Sequence, residues 1–80
     1  MLITEIQIGT LILKNLKEQE RSISWLARKV HRDASNLGRL LRHNSDLPAN
    51  LLLQISIALE KDFFAYYSQF IDKTKTVEIT

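Results

Sequence analysis

Residues 22–42, SISWLARKVHRDASNLGRLLR, decide the fold. Their apolar members recur at helical spacing in two groups: Ile23, Leu26, Ala27 and Val30, and then Leu37, Leu40 and Leu41. Three polar or charged residues, His31 to Asp33, lie between the two groups. The segment therefore predicts two short helices joined by a tight turn.

Polar side chains mark where these two helices begin. Ser22 or Ser24 can cap the first helix, which we predict to end at about Val30. Asp33 can cap the second helix by accepting a hydrogen bond from the backbone amide of Asn36. We therefore predict the second helix over about residues 34–42, with an apolar face opposite a polar one.

Outward from this segment, the apolar spacing predicts three more helices. One covers about residues 6–18, one starts near Pro48 and runs to about Glu60, and one begins near Asp62. The sequence therefore predicts an all-α, five-helix domain over residues 1–71. Residues 72–80 are expected to form a tail, in which the alternating, β-branched end of the chain is either frayed or a lone strand.

Composition excludes several classes of protein. The chain has 80 residues, of which 45% are hydrophobic, and no cysteine, so we expect one small domain without disulfides or thiolate-bound zinc. His31 and His43 are too isolated to suggest a metal site, and no nucleophile or glycine-rich loop accompanies Asp33 and Asp46. No apolar run approaches the roughly 20 residues that span a bilayer. We therefore expect a cytoplasmic, non-enzymatic protein without cofactor, metal or membrane contact.

Positive charge is concentrated in the middle of the chain. Residues 21–43 hold six basic residues against Asp33 alone, a net charge of +5, whereas residues 1–20 and 44–80 carry −1 and −2. Such a local field attracts polyanions, although a solvated basic face would have the same composition.

The order of these features resembles the Cro and phage-repressor (XRE-like) family of helix-turn-helix DNA-binding proteins. The resemblance covers about residues 6–67 and rests on Ile8-Gly9 with Ile12, on Leu26-Ala27 before the polar-faced helix, and on residues 51–59. Trp25-Leu26-Ala27, together with DFFAYY at residues 62–67, is similar to short bacterial members with an aromatic last helix. The resemblance thus implies a repressor-like domain with its helix-turn-helix in helices 2 and 3.

The sequence departs from the family pattern at five positions. His31 stands where the family usually has glycine, so we expect it to adopt a left-handed conformation. Leu16 and Leu41 replace a buried Arg–Glu pair, and both charges are absent together, which leaves neither unpaired. Ile23 replaces a phosphate-binding glutamine and is expected in the core, and Arg32 replaces an apolar residue.

The resemblance also implies which residues contact DNA. The third helix would enter the major groove, where Arg39 could bind guanine through two hydrogen bonds. Eight residues form the expected DNA contact: Arg28, Lys29, Arg32, Ala34, Ser35, Asn36, Arg39 and Arg42. Arg28, Lys29, Arg32 and Arg42 are assigned to phosphates, while Ala34, Ser35 and Asn36 lie in the first turn of the helix. Glycine at position 38 indicates either that the third helix approaches the duplex closely at this point or that the helix tolerates a residue with low helix propensity.

Aromatic residues cluster near the end of the chain. Five of the six aromatics lie within eight residues: Phe63, Phe64, Tyr66, Tyr67 and Phe70. They can close the core, and an outward-facing part could join two copies into a homodimer. The function predicted from the sequence is sequence-specific binding of double-stranded DNA by a repressor-like transcriptional regulator. The alternative is a protein-binding module, such as an antitoxin or anti-repressor, that acts through the aromatic helix.

Overall fold

The computed structural model describes residues 6–43 and 47–78, with side chains described as far as residue 71. Within these residues the chain is all α and contains no strand. The five helices are α1 (Ile8–Glu18), α2 (Ile23–Lys29), α3 (Ala34–Arg42), α4 (Ala49–Leu59) and α5 (Phe64–Glu78). The predicted all-α, five-helix architecture is therefore confirmed.

One apolar core holds the helices together. Its buried members are Ile8, Ile12 and Leu16 of α1, Leu26 and Ala27 of α2, Val30 in the turn after α2, Leu37 and Leu41 of α3, Leu51, Leu52, Ile55 and Leu59 of α4, and Phe63 before α5. Both α1 and α2 pack on α3, and α2 also packs on α4. Burying one such aliphatic side chain contributes about 1.5–3 kcal/mol. Leu16 and Leu41 both lie in this core, as expected for two apolar residues that together replace a charged pair. Ile23 is partly buried and packs against the core.

Side-chain caps fix the starts of three helices. The Ser22 hydroxyl accepts a hydrogen bond from the Trp25 amide at 3.0 Å, so Ser22 rather than Ser24 caps α2. The Asp33 carboxylate accepts from the Asn36 amide at 2.9 Å, which confirms the predicted cap of α3. An oxygen of Asp62 accepts from the amide of the first residue of α5 at 3.0 Å. Each cap satisfies a backbone donor that the helix itself leaves free.

Three helices end in a left-handed residue that is not glycine. The residues are Glu20 after α1 (φ 56°), His31 after α2 (φ 57°) and Glu60 after α4 (φ 54°). At each end the next amide donates to a carbonyl five residues earlier, as Arg32 does to Ala27 at 2.9 Å. This pattern is a helix-terminating motif in which glycine is usual. The left-handed conformation predicted for His31 is confirmed.

The ends of α1 and α4 are linked by a side chain. The Gln19 amide nitrogen donates to the Leu59 carbonyl oxygen at 2.9 Å and to the Asn15 side chain at 2.9 Å. Beyond α4, the buried Ser56 hydroxyl accepts from the Phe63 amide at 3.4 Å. These bonds satisfy polar groups at the end of α4 and fix the direction in which the chain leaves it.

The C-terminal part of the chain differs from its prediction. The sequence predicts that residues 72–80 form a tail that is either frayed or a lone strand, but helix α5 continues to Glu78, so neither alternative holds for residues 74–78. Residues 79–80 lie outside the described residues. The expected domain boundary at residues 71–72 falls inside this helix. A lone strand would leave its backbone groups without a partner edge, whereas a helix pairs them within its own segment.

Candidate nucleic-acid interface

Helix α3 has two chemically opposite faces. Leu37 and Leu41 are fully buried in the core, while the side chains of Ser35, Asn36 and Arg39 are exposed. Because the apolar face is anchored by the packing of α1 and α2, the polar face is held outward on a fixed helix. Of the residues predicted for the first turn, Ser35 and Asn36 lie on the outer surface, and Ala34 is half-buried against the core.

The turn between α2 and α3 sets the relation of the two helices. Residues 30–33 form this connection, in which Val30 is buried, His31 is left-handed and Asp33 caps α3. The two short helices are thus consecutive in the chain and packed on each other. The exposed Arg32 lies in the turn, and its amide donates to the Ala27 carbonyl.

Four predicted arginines are exposed around this pair of helices. They are Arg28 on α2, Arg32 in the turn, and Arg39 and Arg42 on α3. Among the residues that the structure describes, none of their guanidinium groups pairs with a carboxylate. A guanidinium without an internal partner keeps its five N–H donors for water or for an external anion.

Gly38 and Arg42 are in direct contact on α3. Gly38 is buried, and a Cβ placed on it would lie 3.0 Å from one terminal nitrogen of Arg42 and 3.3 Å from the guanidinium carbon. Helical side chains lean toward the preceding turn, so Arg42 extends back over the glycine one turn earlier. The absence of a side chain at position 38 therefore lets the Arg42 guanidinium lie directly on the helix.

Lys29, the remaining residue assigned to phosphates, lies beside Trp25. Its ammonium nitrogen lies 5.7 Å from the centre of the Trp25 ring, and the Arg21 guanidinium carbon lies 4.5 Å from the same centre. The sequence analysis counted Arg21 only as charge and assigned Trp25 no contact. The signal that could have revealed this cluster is the spacing of Arg21, Trp25 and Lys29 at intervals of four residues, with Trp25 and Lys29 one turn apart on α2 and Arg21 just before it.

The aromatic residues expected to form a dimer surface are divided between core and exterior. Phe63 is fully buried and precedes α5, so it belongs to the part of the cluster that closes the core. Phe64 and Tyr66 pack partly buried against the core, and Phe70 is half-buried. The outer surface instead combines Tyr67, which is 37% exposed, with Ile71, which is 59% exposed and was not singled out from the sequence.

Other kinds of site find no support in the described part of the chain. Its histidines and carboxylates form no group of three or more that could hold a metal ion. None of its helices is long and apolar enough to cross a bilayer.

Comparison of the chain with protein-family models, with curated proteins and with solved structures finds no match in any of the three.

Proposed function

We propose that this chain binds double-stranded DNA sequence-specifically and acts as a repressor-like transcriptional regulator. The observation that carries the proposal is the exposed face of α3, where Arg39 and the first-turn residues Ser35 and Asn36 project from a helix whose other face is buried. A helix presented in this way fits the major groove of B-DNA, which is wide enough to admit one.

Readout of sequence is assigned mainly to Arg39. Its side chain is exposed on the α3 face opposite Leu37 and Leu41, and its planar guanidinium can donate two hydrogen bonds to guanine O6 and N7. Ser35 and Asn36 can bond either a base edge or a phosphate, and Ala34 can contact a thymine methyl group. One turn and a half of helix thus supplies the base-reading groups.

Binding to the phosphate backbone is assigned to Arg28, Arg32 and Arg42. These three residues flank α3 on α2, in the turn and at the end of α3 itself, and all three are exposed. Such contacts hold a protein in register on the duplex without reading sequence. Lys29 is not included in this group, because its ammonium lies beside Trp25 on the side of α2 that borders α4.

We further propose that the protein acts as a homodimer. A single helix-turn-helix contacts few base pairs, so two half-sites roughly 34–36 Å apart are the usual solution. The exposed side chains of Tyr67 and Ile71, one turn apart on α5, provide apolar surface for an isologous contact.

Selection of binding sites from random duplex DNA tests the proposal. The expected result is enrichment of one sequence arranged as two related half-sites, with weaker binding to scrambled duplexes. Recovery of unenriched sequences would contradict sequence-specific binding. If the protein also bound no duplex at low salt, the protein-binding alternative would be favoured.

Three alanine variants assign the roles of individual residues. Arg39→Ala should lose about 1–3 kcal/mol on the selected site and relax preference at one base pair per half-site. Arg42→Ala should weaken binding to all sequences alike and flatten the salt dependence by about one phosphate contact. Lys14→Ala on α1, which removes one exposed charge outside the basic segment, serves as the matched control. Equal losses for Arg39→Ala on specific and random duplexes would reassign Arg39 to the phosphate contacts.

A further inference from the structure

A cleft of about 520 Å³ lies between α2 and α4, beside the turn that follows α1. Its volume falls within the range of roughly 300–1,000 Å³ that is common for binding pockets. The lining residues come from three parts of the chain: Gln19 in the turn after α1, Arg21, Trp25 and Lys29 on the α2 side, and Gln54, Ile57, Ala58 and Glu60 on α4 and at its end. None of them belongs to the exposed face of α3.

The apolar part of the cleft is exposed to solvent. Trp25 is half-buried, and Ile57 is 67% exposed, the largest exposed fraction among the large apolar side chains of the described residues. An aromatic ring and an exposed aliphatic side chain that line the same cleft offer apolar surface on which another apolar side chain can be buried.

The charged part of the cleft is predominantly positive. Arg21 and Lys29 lie over the Trp25 ring at 4.5 Å and 5.7 Å, and Glu60 supplies the one carboxylate in the lining. Stacking on the ring orients the two cations but uses none of their N–H donors, which remain available to carboxylates. The ring therefore positions two anion-binding groups next to an apolar surface.

The composition of the cleft favours one kind of occupant. A DNA backbone would meet Arg21 and Lys29 but would leave Ile57 without an apolar partner and bring phosphates toward Glu60. A purely apolar helix would leave the two cations without counter-charges. A peptide segment with acidic residues around an apolar side chain satisfies both parts of the surface.

We infer that the cleft between α2 and α4 binds an acidic segment of a partner protein, with an apolar side chain placed between Trp25 and Ile57 and carboxylates at Arg21 and Lys29. This surface is separate from the one proposed to bind DNA. The two proposals therefore stand or fall independently.

Fluorescence of Trp25, the sole tryptophan of the chain, tests the inference directly. The probe is a synthetic, tryptophan-free peptide of alternating aspartate and glutamate with a central Leu-Phe pair. One control peptide replaces each acidic residue with lysine, and a second replaces the Leu-Phe pair with two serines. The acidic Leu-Phe peptide should cause a saturable change, and each control should bind at least about tenfold more weakly.

Variants of the protein locate the site. Ile57→Asp should weaken peptide binding at least about tenfold, and it should still fold because the side chain is largely exposed, which circular dichroism checks. Leu53→Asp, at an exposed leucine of α4 that does not line the cleft, should leave peptide binding unchanged.

Four results would overturn the inference. The first is no fluorescence change up to about 1 mM peptide, and the second is an equal response to the lysine peptide. The third is displacement of the bound peptide by duplex DNA, which would assign Arg21 and Lys29 to the nucleic-acid surface. The fourth is a concentration-dependent change without peptide that Ile57→Asp abolishes, which would make a second copy the occupant.

Discussion

Substitution of His31 tests how the turn between α2 and α3 is built. A left-handed conformation such as φ 57° costs an L-residue about 1–2 kcal/mol, a cost that glycine does not carry. Glycine instead loses more backbone entropy on folding, a cost of roughly 0.5–1 kcal/mol. The difference between the strain that glycine removes and the backbone entropy that it costs predicts that His31→Gly is neutral or stabilises the fold by up to about 1 kcal/mol. His31→Val should destabilise the fold by about 1–2 kcal/mol, because a β-branched residue is even less favourable in the left-handed conformation than histidine.

Thermal unfolding followed by circular dichroism measures both variants. For a domain of this size, 1 kcal/mol corresponds to a shift in Tm of roughly 4–8 °C, so His31→Gly and His31→Val should differ clearly. His43 is the matched control, since it is also exposed and ends a helix but has an ordinary φ of −94°. There the glycine substitution should be destabilising. Equal stability of His31→Val and His31→Gly would refute the proposed strain in the turn.

Three further predictions concern α3 and α5. Gly38→Ala should raise the free energy of unfolding by about 0.5–1 kcal/mol, because the new Cβ meets only the movable end of Arg42, and thermal unfolding measures this change. If the glycine approaches DNA closely, the same substitution should also weaken duplex binding, which a titration with duplex DNA measures. Tyr67→Glu should shift sedimentation equilibrium toward monomer, and an intact protein that is already monomeric at micromolar concentration would contradict the dimer. Asp33→Ala should cost about 1 kcal/mol of unfolding free energy through loss of the α3 cap, whereas Ser24→Ala, at a serine that caps no helix, should cost far less.

Features of the fold that depend on interactions between residues close in sequence, such as helix caps and helix ends, could be predicted from the sequence. The cap at Asp33 needs only an oxygen three residues before a free amide, and the bounds of α3 follow from it. The left-handed His31 follows from the family resemblance. Glu20 and Glu60 adopt the same conformation without being predicted, because glutamate is not a residue whose presence signals a left-handed turn.

Features that depend on contacts between residues far apart in sequence could not be predicted from the sequence. Helical spacing groups Phe63 with the aromatics of α5, yet Phe63 precedes the helix and fills the core beside Ser56. The β-branched end of the chain favours a strand only where another strand can pair with it, and α5 continues through residues 74–78 instead. The cleft that Lys29 lines together with α4 depends on the position of α4, which the sequence around Lys29 does not specify.

The bond from Gln19 to the Leu59 carbonyl has a consequence for local opening of the protein. It joins the ends of two helices that lie 40 residues apart in sequence, so the last turn of α4 cannot fray without also releasing the end of α1. Amide hydrogens at Glu60 and Lys61, which donate to carbonyls in that turn, should therefore exchange with solvent in step with those at the end of α1. In Gln19→Ala the two sets should become independent, with faster exchange after α4 and unchanged exchange within α3.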